Sequence, residues 1–280
     1  MELVFQAIVI GILQGLTEFI PVSSSAHLEL APWIAGWGTD GLTGSLAFDV
    51  FLHLGTLLAL LAYFARDWIA LVGAWFTSVR ERRIGADPQR RLAWFLLVAT
   101  VPAALIGFAG EGWIESVLHG ESDGVRLAIA GFVVLGAAGL WLADRLGSRR
   151  RDDGLDARSA LVIGLSQALA LFPGISRSGA TISAGLALGM TRESAARFSF
   201  LLATPITLGA GLYGSRKMLI ETHTPVEWLA IAAGFGAAAI SGMLAIGFLL
   251  SWLRSRSVTV FSLYRIGFAG LIVGLVLVGR

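Results

Sequence analysis

Stretches of roughly twenty apolar residues, the length that crosses the hydrocarbon layer as a helix, recur along the chain. They lie at 46–64, 92–110, 126–144, 198–214, 227–250 and 259–279. The run at 46–64 continues as an amphipathic stretch to about Val79. Two further apolar regions, 3–32 and 159–190, are interrupted by prolines, glycines and serines. The first contains Pro21, a serine run and Pro32, too broken for one plain span. Backbone that leaves the helix at membrane depth persists only where protein or water covers it. Each interrupted region therefore predicts a re-entrant hairpin, two half-helices with serines near the tip. The expected fold class is all-α, a polytopic membrane protein with about six spanning helices and two hairpins.

Charge orients these segments. The loop 80–91 carries Arg80, Arg82, Arg83, Arg90 and Arg91, and 145–158 carries Arg145, Arg149, Arg150, Arg151 and Arg158. Between them, 111–125 holds Glu111, Glu115, Glu121 and Asp123 and no lysine or arginine. Basic loops stay in the cytoplasm, so both arginine loops lie inside and the acidic loop outside. Arg254 and Arg256 continue the inside set. Counting back from them puts 215–226 outside and 191–197 inside, so 159–190 enters and leaves on the cytoplasmic side. Arg216 and Lys217 run against this scheme.

Composition agrees. The 280 residues are 56% hydrophobic and 14% charged, with mean hydropathy +0.77, whereas soluble domains carry about 25% charged residues. Thirty-five glycines suit close helix packing in lipid, and some of the nine tryptophans suit interfacial anchoring. The absence of cysteine excludes disulfides, thiolate catalysis and cysteine metal sites. The opening residues lack a basic region ahead of the apolar run, so no cleaved signal peptide is expected. Topology accounts for the arginine loops, which leaves no case for a nucleic-acid partner.

The two interrupted regions resemble each other. At a constant offset, Gly11 meets Gly164, Gln14 meets Gln167, Leu16 meets Leu169 and Phe19 meets Phe172. Ser23 likewise meets Ser176, and Ser25 meets Ser178, while Pro21 and Pro173 differ by one place. A shorter echo pairs Phe48, Tyr63 and Arg66 with Phe198, Tyr213 and Arg216. The chain thus reads as two repeats, 1–150 and 151–280, each a hairpin plus three spans, in one membrane domain. An odd number of crossings inverts the second copy, a plan in which broken helices from the two halves meet near the midplane and build the site.

The chemistry sits in these motifs. Gln14 and Glu18 share a helical face, and an ionisable group within a membrane segment is by default functional. Glu18 could act as a general base or hold a divalent cation. Ser23, Ser24, Ser25 and His27 follow the Pro21 break, and a hydroxyl near an imidazole is the minimum for an activated nucleophile. Serine runs also cap helices. In the second copy, Gly174 and Gly179 permit tight turns. Ser176, Ser178, Thr181 and the amides of a helix start can cradle an anion, and the Arg177 fork suits phosphate oxygens. Asp49 and His53, four residues apart, could line the same cavity, help with a metal or stand at the interface. His119 and His223 read as solvated loop residues. The two copies are expected to face each other and hold one phosphate group.

At these residues the chain resembles the BacA-type undecaprenyl-diphosphate phosphatases. Their Glu/Gln and Glu pair, followed by a proline, valine, serine and histidine pattern, is matched by Gln14, Glu18, Pro21, Val22, Ser23, Ser24 and His27. Their second motif is matched by Pro173, Gly174, Ser176, Arg177, Ser178 and Thr181. The resemblance implies hydrolysis of a C55 polyprenyl diphosphate to the monophosphate and inorganic phosphate, recycling the lipid carrier of cell-wall synthesis. It implies Ser24 as nucleophile with His27 as rival or helper, Glu18 as essential carboxylate, and Arg177 as phosphate-binding arginine flanked by Ser176 and Thr181. It implies a divalent cation, Mg²⁺ or Ca²⁺, and a bacterial inner membrane with the site opening toward the outer face. A homodimer stays open. Gln14 stands where many members carry glutamate, which weakens a two-carboxylate metal site and makes Asp49 a candidate second acid.

Two rival functions remain at this level. A lipid-phosphate or anion transporter would use the same repeats and the same charged pair. The lipid phosphatases with two histidines and a paired basic set fit poorly, because no second histidine follows Arg177 at useful spacing and Lys217 is the only lysine.

Overall fold

The computed structural model describes residues 1–37, 41–118, 122–147, 155–220 and 222–279, apart from the side chains of 46, 111, 113–118 and 215–219. Among the described residues there are helices and no strands. His119, Glu121, Arg149, Arg150 and Arg151 lie outside the described residues, as do the side chains of Glu111, Glu115, Arg216 and Lys217.

Local chemistry sets the helix ends. Helix α1 (Glu2–Phe19) stops because Ile20 is extended, at φ −65° and ψ 131°, ahead of Pro21. After the short break, α2 (Ser24–Ala35) runs to Gly36, whose φ of 69° is the left-handed turn that closes a helix. Ser45 caps α3 (Leu46–Tyr63) by accepting from the Phe48 amide. A bend of 79° separates α3 from α4 (Ala65–Arg80). Three long helices follow this pair and the second hairpin: α5 (Pro88–Leu118), α6 (Asp123–Gly147) and, later, α9 (Arg192–Ile220). The second hairpin begins with α7 (Ala157–Ser166), capped by Asp156, which accepts from the Ser159 amide at 2.7 Å. It tightens into a 3₁₀ turn at Gln167–Leu171, then opens α8 (Arg177–Ala187) at Ser176. Thr224, Pro225 and Glu227 form a reciprocal cap on α10 (Pro225–Leu253), and α11 (Thr259–Leu277) follows.

Six helices are long and apolar enough to cross a membrane: α1, α5, α6, α9, α10 and α11. The chain is thus an all-α, polytopic membrane protein. Two details differ from the sequence expectation. Helix α1, expected as a half-helix, runs 18 residues before Pro21 ends it, whereas α3 qualifies only together with the bent α4. Helices α5 and α9 also outrun their apolar windows. An apolar window measures the hydrocarbon layer, while a helix ends where its cap lies.

Helix α1 packs on α10 and α7 packs on α5; α3 lies against α9 and α10, and α6 against α11 and α8. The matched glycines serve the first two contacts. A Cβ on Gly11 would lie 2.3 Å from the Gly234 carbonyl oxygen, and one on Gly164 would lie 2.2 Å from that of Ala99. Backbones touch at both places, as small residues allow in lipid. Outward faces are apolar, including Phe5, Leu105, Phe108 and Leu244. At one end ion pairs join the helices: Arg192 donates to Asp144 at 2.5 and 3.1 Å, Arg254 donates to Glu193 at 2.9 Å, and Arg197 donates to Asp67.

Candidate active site

The last two turns of α1 place Gln14 and Glu18 on one face, and both are buried. The opening residue of α2, Ser24, donates its hydroxyl to Glu18 Oε2 at 2.6 Å. Gln14 Nε2 donates to the same oxygen at 3.3 Å. From the second hairpin, Arg177 Nη2 donates to Glu18 Oε1, while its Nη1 donates to Thr207 Oγ1 at 2.6 Å. The acid of one motif and the guanidinium of the other, 159 positions apart, therefore meet in one pair, the carboxylate buried and the guanidinium partly so. His53 brings Nε2 to 3.6 Å from Glu18 Oε2.

The two turns share an unusual backbone. Ser23 has φ 78° and Ser176 has φ 72°, values that cost a non-glycine residue roughly 1–3 kcal/mol. Each residue precedes the first residue of a half-helix, Ser24 or Arg177. In both turns the hydroxyls of two serines two positions apart lie within 3.2 Å, Ser23 with Ser25 and Ser176 with Ser178. The turns also touch each other, since the Gly174 amide donates to Ser25 Oγ at 3.4 Å. Ser23, Ser176, Ser178 and Thr181 are all buried. The Thr181 hydroxyl is held within the protein, donating to the Arg177 carbonyl at 2.9 Å and lying 2.6 Å from Ser199 Oγ.

His27 is turned elsewhere. Its Nδ1 lies 2.7 Å from the Ser23 carbonyl, which can only accept, so this nitrogen carries the proton. Its Nε2 then accepts from the Tyr264 hydroxyl at 2.8 Å, and the ring stacks on Phe268 at 4.2 Å. The imidazole beside Glu18 is that of His53, whose Nδ1 donates to the Asp49 carbonyl at 2.8 Å. Asp49 enters this chain of contacts through its backbone rather than its carboxyl. Sequence reasoning missed Thr207, Ser199, Tyr264 and Arg265. For Arg265 a signal existed, an arginine within the apolar run 259–279.

The described residues contain no group of three or more histidine, aspartate or glutamate side chains able to hold a metal ion. A cation shared with a diphosphate needs less, since Mg²⁺ is commonly held by one or two carboxylates together with substrate phosphates. Gln14 Oε1 is buried and has no hydrogen-bond partner. The amide turns its Nε2 toward Glu18, so exchanging the places of its Nε2 and Oε1 would set two hard oxygen donors side by side, a set that fits such an ion.

The model of the family described as bacitracin resistance protein BacA matches residues 7–271, nearly the whole chain. The chain belongs to the BacA family. Among curated relatives, this BacA-family protein is 47% identical over 273 residues to a protein of Thermomicrobium roseum, covering 94% of each chain. It is 44% identical to one of Pelobacter propionicus (98% and 97% covered) and 46% identical to one of Moorella thermoacetica (96% and 97%). All three relatives carry the name undecaprenyl-diphosphatase.

Proposed function

We infer that this BacA-family protein is an integral membrane phosphatase. It hydrolyses undecaprenyl diphosphate to undecaprenyl phosphate and inorganic phosphate, and so recycles the lipid carrier of cell-wall synthesis and supports bacitracin resistance. The observation that carries this reading is the Ser24–Glu18–Arg177 contact: a hydroxyl bonded to a carboxylate that is itself paired with a guanidinium. The relatives' shared name favours it over transport.

Phosphoryl transfer demands positioning and neutralisation of spreading negative charge. Arg177 exchanges Glu18 for oxygens of the terminal phosphate, which frees the carboxylate. The Ser24 oxygen attacks phosphorus in line, its proton passes by way of Glu18 Oε2 to the departing undecaprenyl phosphate, and the P–O bond to that group breaks. Water then attacks the phosphoserine, Glu18 passing a water proton to Ser24 Oγ, and inorganic phosphate leaves. Thr207 keeps the Arg177 fork aimed through this exchange. A bound divalent cation, held by Glu18 and Gln14 Oε1, would supply further neutralisation of the diphosphate. The prenyl chain remains among the helices, which accounts for an intramembrane site. His27, hydrogen-bonded away from Ser24, supports the turn rather than taking the proton. We further propose that 1–150 and 151–280 form an inverted repeat, supported by the matched Ser23 and Ser176 backbones and the matched Gly11 and Gly164 contacts. The protein would sit in the bacterial inner membrane with the arginine loops inside and the site opening outward.

The test is phosphate release from polyprenyl diphosphate by purified protein in detergent, where transport across a bilayer is impossible. Wild type is expected to turn over, and Ser24→Ala to lose about a hundredfold or more. Chelator is expected to suppress wild-type turnover. A wild-type protein that releases no phosphate refutes the reading, and a fully active Ser24→Ala removes Ser24 as nucleophile.

A further inference from the structure

Arg265 heads the fully buried side chains, with no solvent exposure. Among the described residues its guanidinium bonds to backbone carbonyls and to no carboxylate. Nε donates to the Val133 oxygen of α6 at 3.1 Å. Nη1 donates to the Pro21 oxygen at 3.4 Å. Nη2 donates to the oxygens of Gly174 and Ile175 at 2.7 and 3.0 Å. A charge buried without a counterion is costly, and it persists only where its donors are met.

The choice of acceptors is informative. Pro21 stands two residues before Ser23, and Gly174 and Ile175 stand immediately before Ser176. One rigid fork thus grips both turns just ahead of their strained serines, and anchors them to α6. Its planar geometry fixes the distance between them in a way that a flexible ammonium would not. The surroundings are shaped for this group. A Cβ on Gly136 would lie 2.0 Å from Arg265 Nη2 and 2.7 Å from the Ile175 oxygen.

We propose that Arg265 is a positioning residue whose guanidinium sets the separation of the two turns, and thereby the alignment of Ser24 with the phosphate held by Arg177. The proposal rests on the phosphatase reading. Misplacing reacting groups by about 1 Å can cost on the order of a hundredfold in rate, so the loss should fall on kcat.

The experiment compares wild type, Arg265→Lys, Arg265→Gln and Gly136→Ala, purified in detergent, with kcat and KM measured for polyprenyl diphosphate. Elution profile and unfolding midpoint report folding. Arg265→Lys keeps the charge but not the fork, and is expected to lose about tenfold to a hundredfold in kcat with KM within about threefold. Arg265→Gln is expected to lose more. Gly136→Ala displaces the guanidinium while leaving every bonding group in the chain, and is expected to show the same loss confined to kcat. Folded variants with wild-type kcat overturn the proposal. So does a rise in KM at unchanged kcat, which would make Arg265 a source of attraction for the diphosphate. If Arg265→Lys fails to fold, Gly136→Ala decides. If neither folds, Arg265 is a folding requirement and the proposal fails. Absence of turnover in wild type would refute the phosphatase reading instead.

Discussion

Glu18 and Arg177 neutralise each other in a buried setting, so neither can be removed alone without leaving its partner's charge unpaired. Glu18→Ala or Arg177→Ala is expected to cost about 3–5 kcal/mol of stability. The double variant should be more stable than either single, and all three should be inactive. Thermal unfolding in detergent, with the phosphate-release assay, checks this; a double variant less stable than both singles would break the argument. The serine turns offer a second residue-level test. Ser23 sits at φ 78° and its side chain makes no capping bond, so Ser23→Gly should relieve roughly 1–3 kcal/mol of strain and raise the unfolding midpoint. Ser176 caps the Gly179 amide at 3.1 Å, so Ser176→Gly forfeits about 1 kcal/mol of that gain and should stabilise less. Equal shifts would show that the cap carries no weight. The meeting of Glu18 with Arg177 was legible in the sequence, because charged residues are conspicuous in an apolar chain and the two motifs match; Ser24 was singled out from its neighbouring serines by the family resemblance. The direction of His27 was not. Its ring is settled by Tyr264 and Phe268, more than two hundred residues further on, and spacing along one motif carries no information about so distant a partner.

Elements were easier to read than their ends. Apolar runs place α3, α6, α10 and α11 closely, because the hydrocarbon layer dictates how many apolar residues each needs. The starts of α5 and α9 depend on local caps beyond the apolar window, Asp87 accepting from the Gln89 and Arg90 amides and Thr191 from the Ser194 amide, and hydropathy is silent there. The hairpin breaks at Pro21 and Pro173 were visible because each proline stands beside a run of small polar residues. Proline alone is no marker, since Pro32, read as an interruption, continues inside α2, as Pro102 does in α5 and Pro205 in α9. The approach of α1 to α10 gives the element-level prediction. Gly11→Ala pushes a methyl group against the Gly234 carbonyl and should destabilise by about 1–3 kcal/mol. Gly131→Ala, on α6 with open space around it, should be neutral or stabilise by up to about 1 kcal/mol. Unfolding midpoints of the two variants, measured side by side, must move in different directions or differ clearly in size.

For the whole molecule, the ion pairs Asp144–Arg192, Glu193–Arg254 and Asp67–Arg197 gather the ends of α4, α6, α9 and α10 on one side. Asp123 and Arg126, at the other end of α6, belong to the opposite side. The chain has no cysteine, so single replacements can be labelled without background. In intact cells, Ser122→Cys is expected to react with a membrane-impermeant maleimide added outside, and Ser255→Cys only after the membrane is opened. The reverse pattern would invert the orientation. The carbonyl clamp of Arg265 adds a consequence in time. Helix α11 follows both hairpins in the chain, so a nascent protein already has Ser24 and Arg177 in the bilayer before the group that joins their turns has left the ribosome. If Arg265 sets the turns as proposed, catalytic competence arrives late in biogenesis, and an unfinished chain is expected to be slow toward the lipids around it.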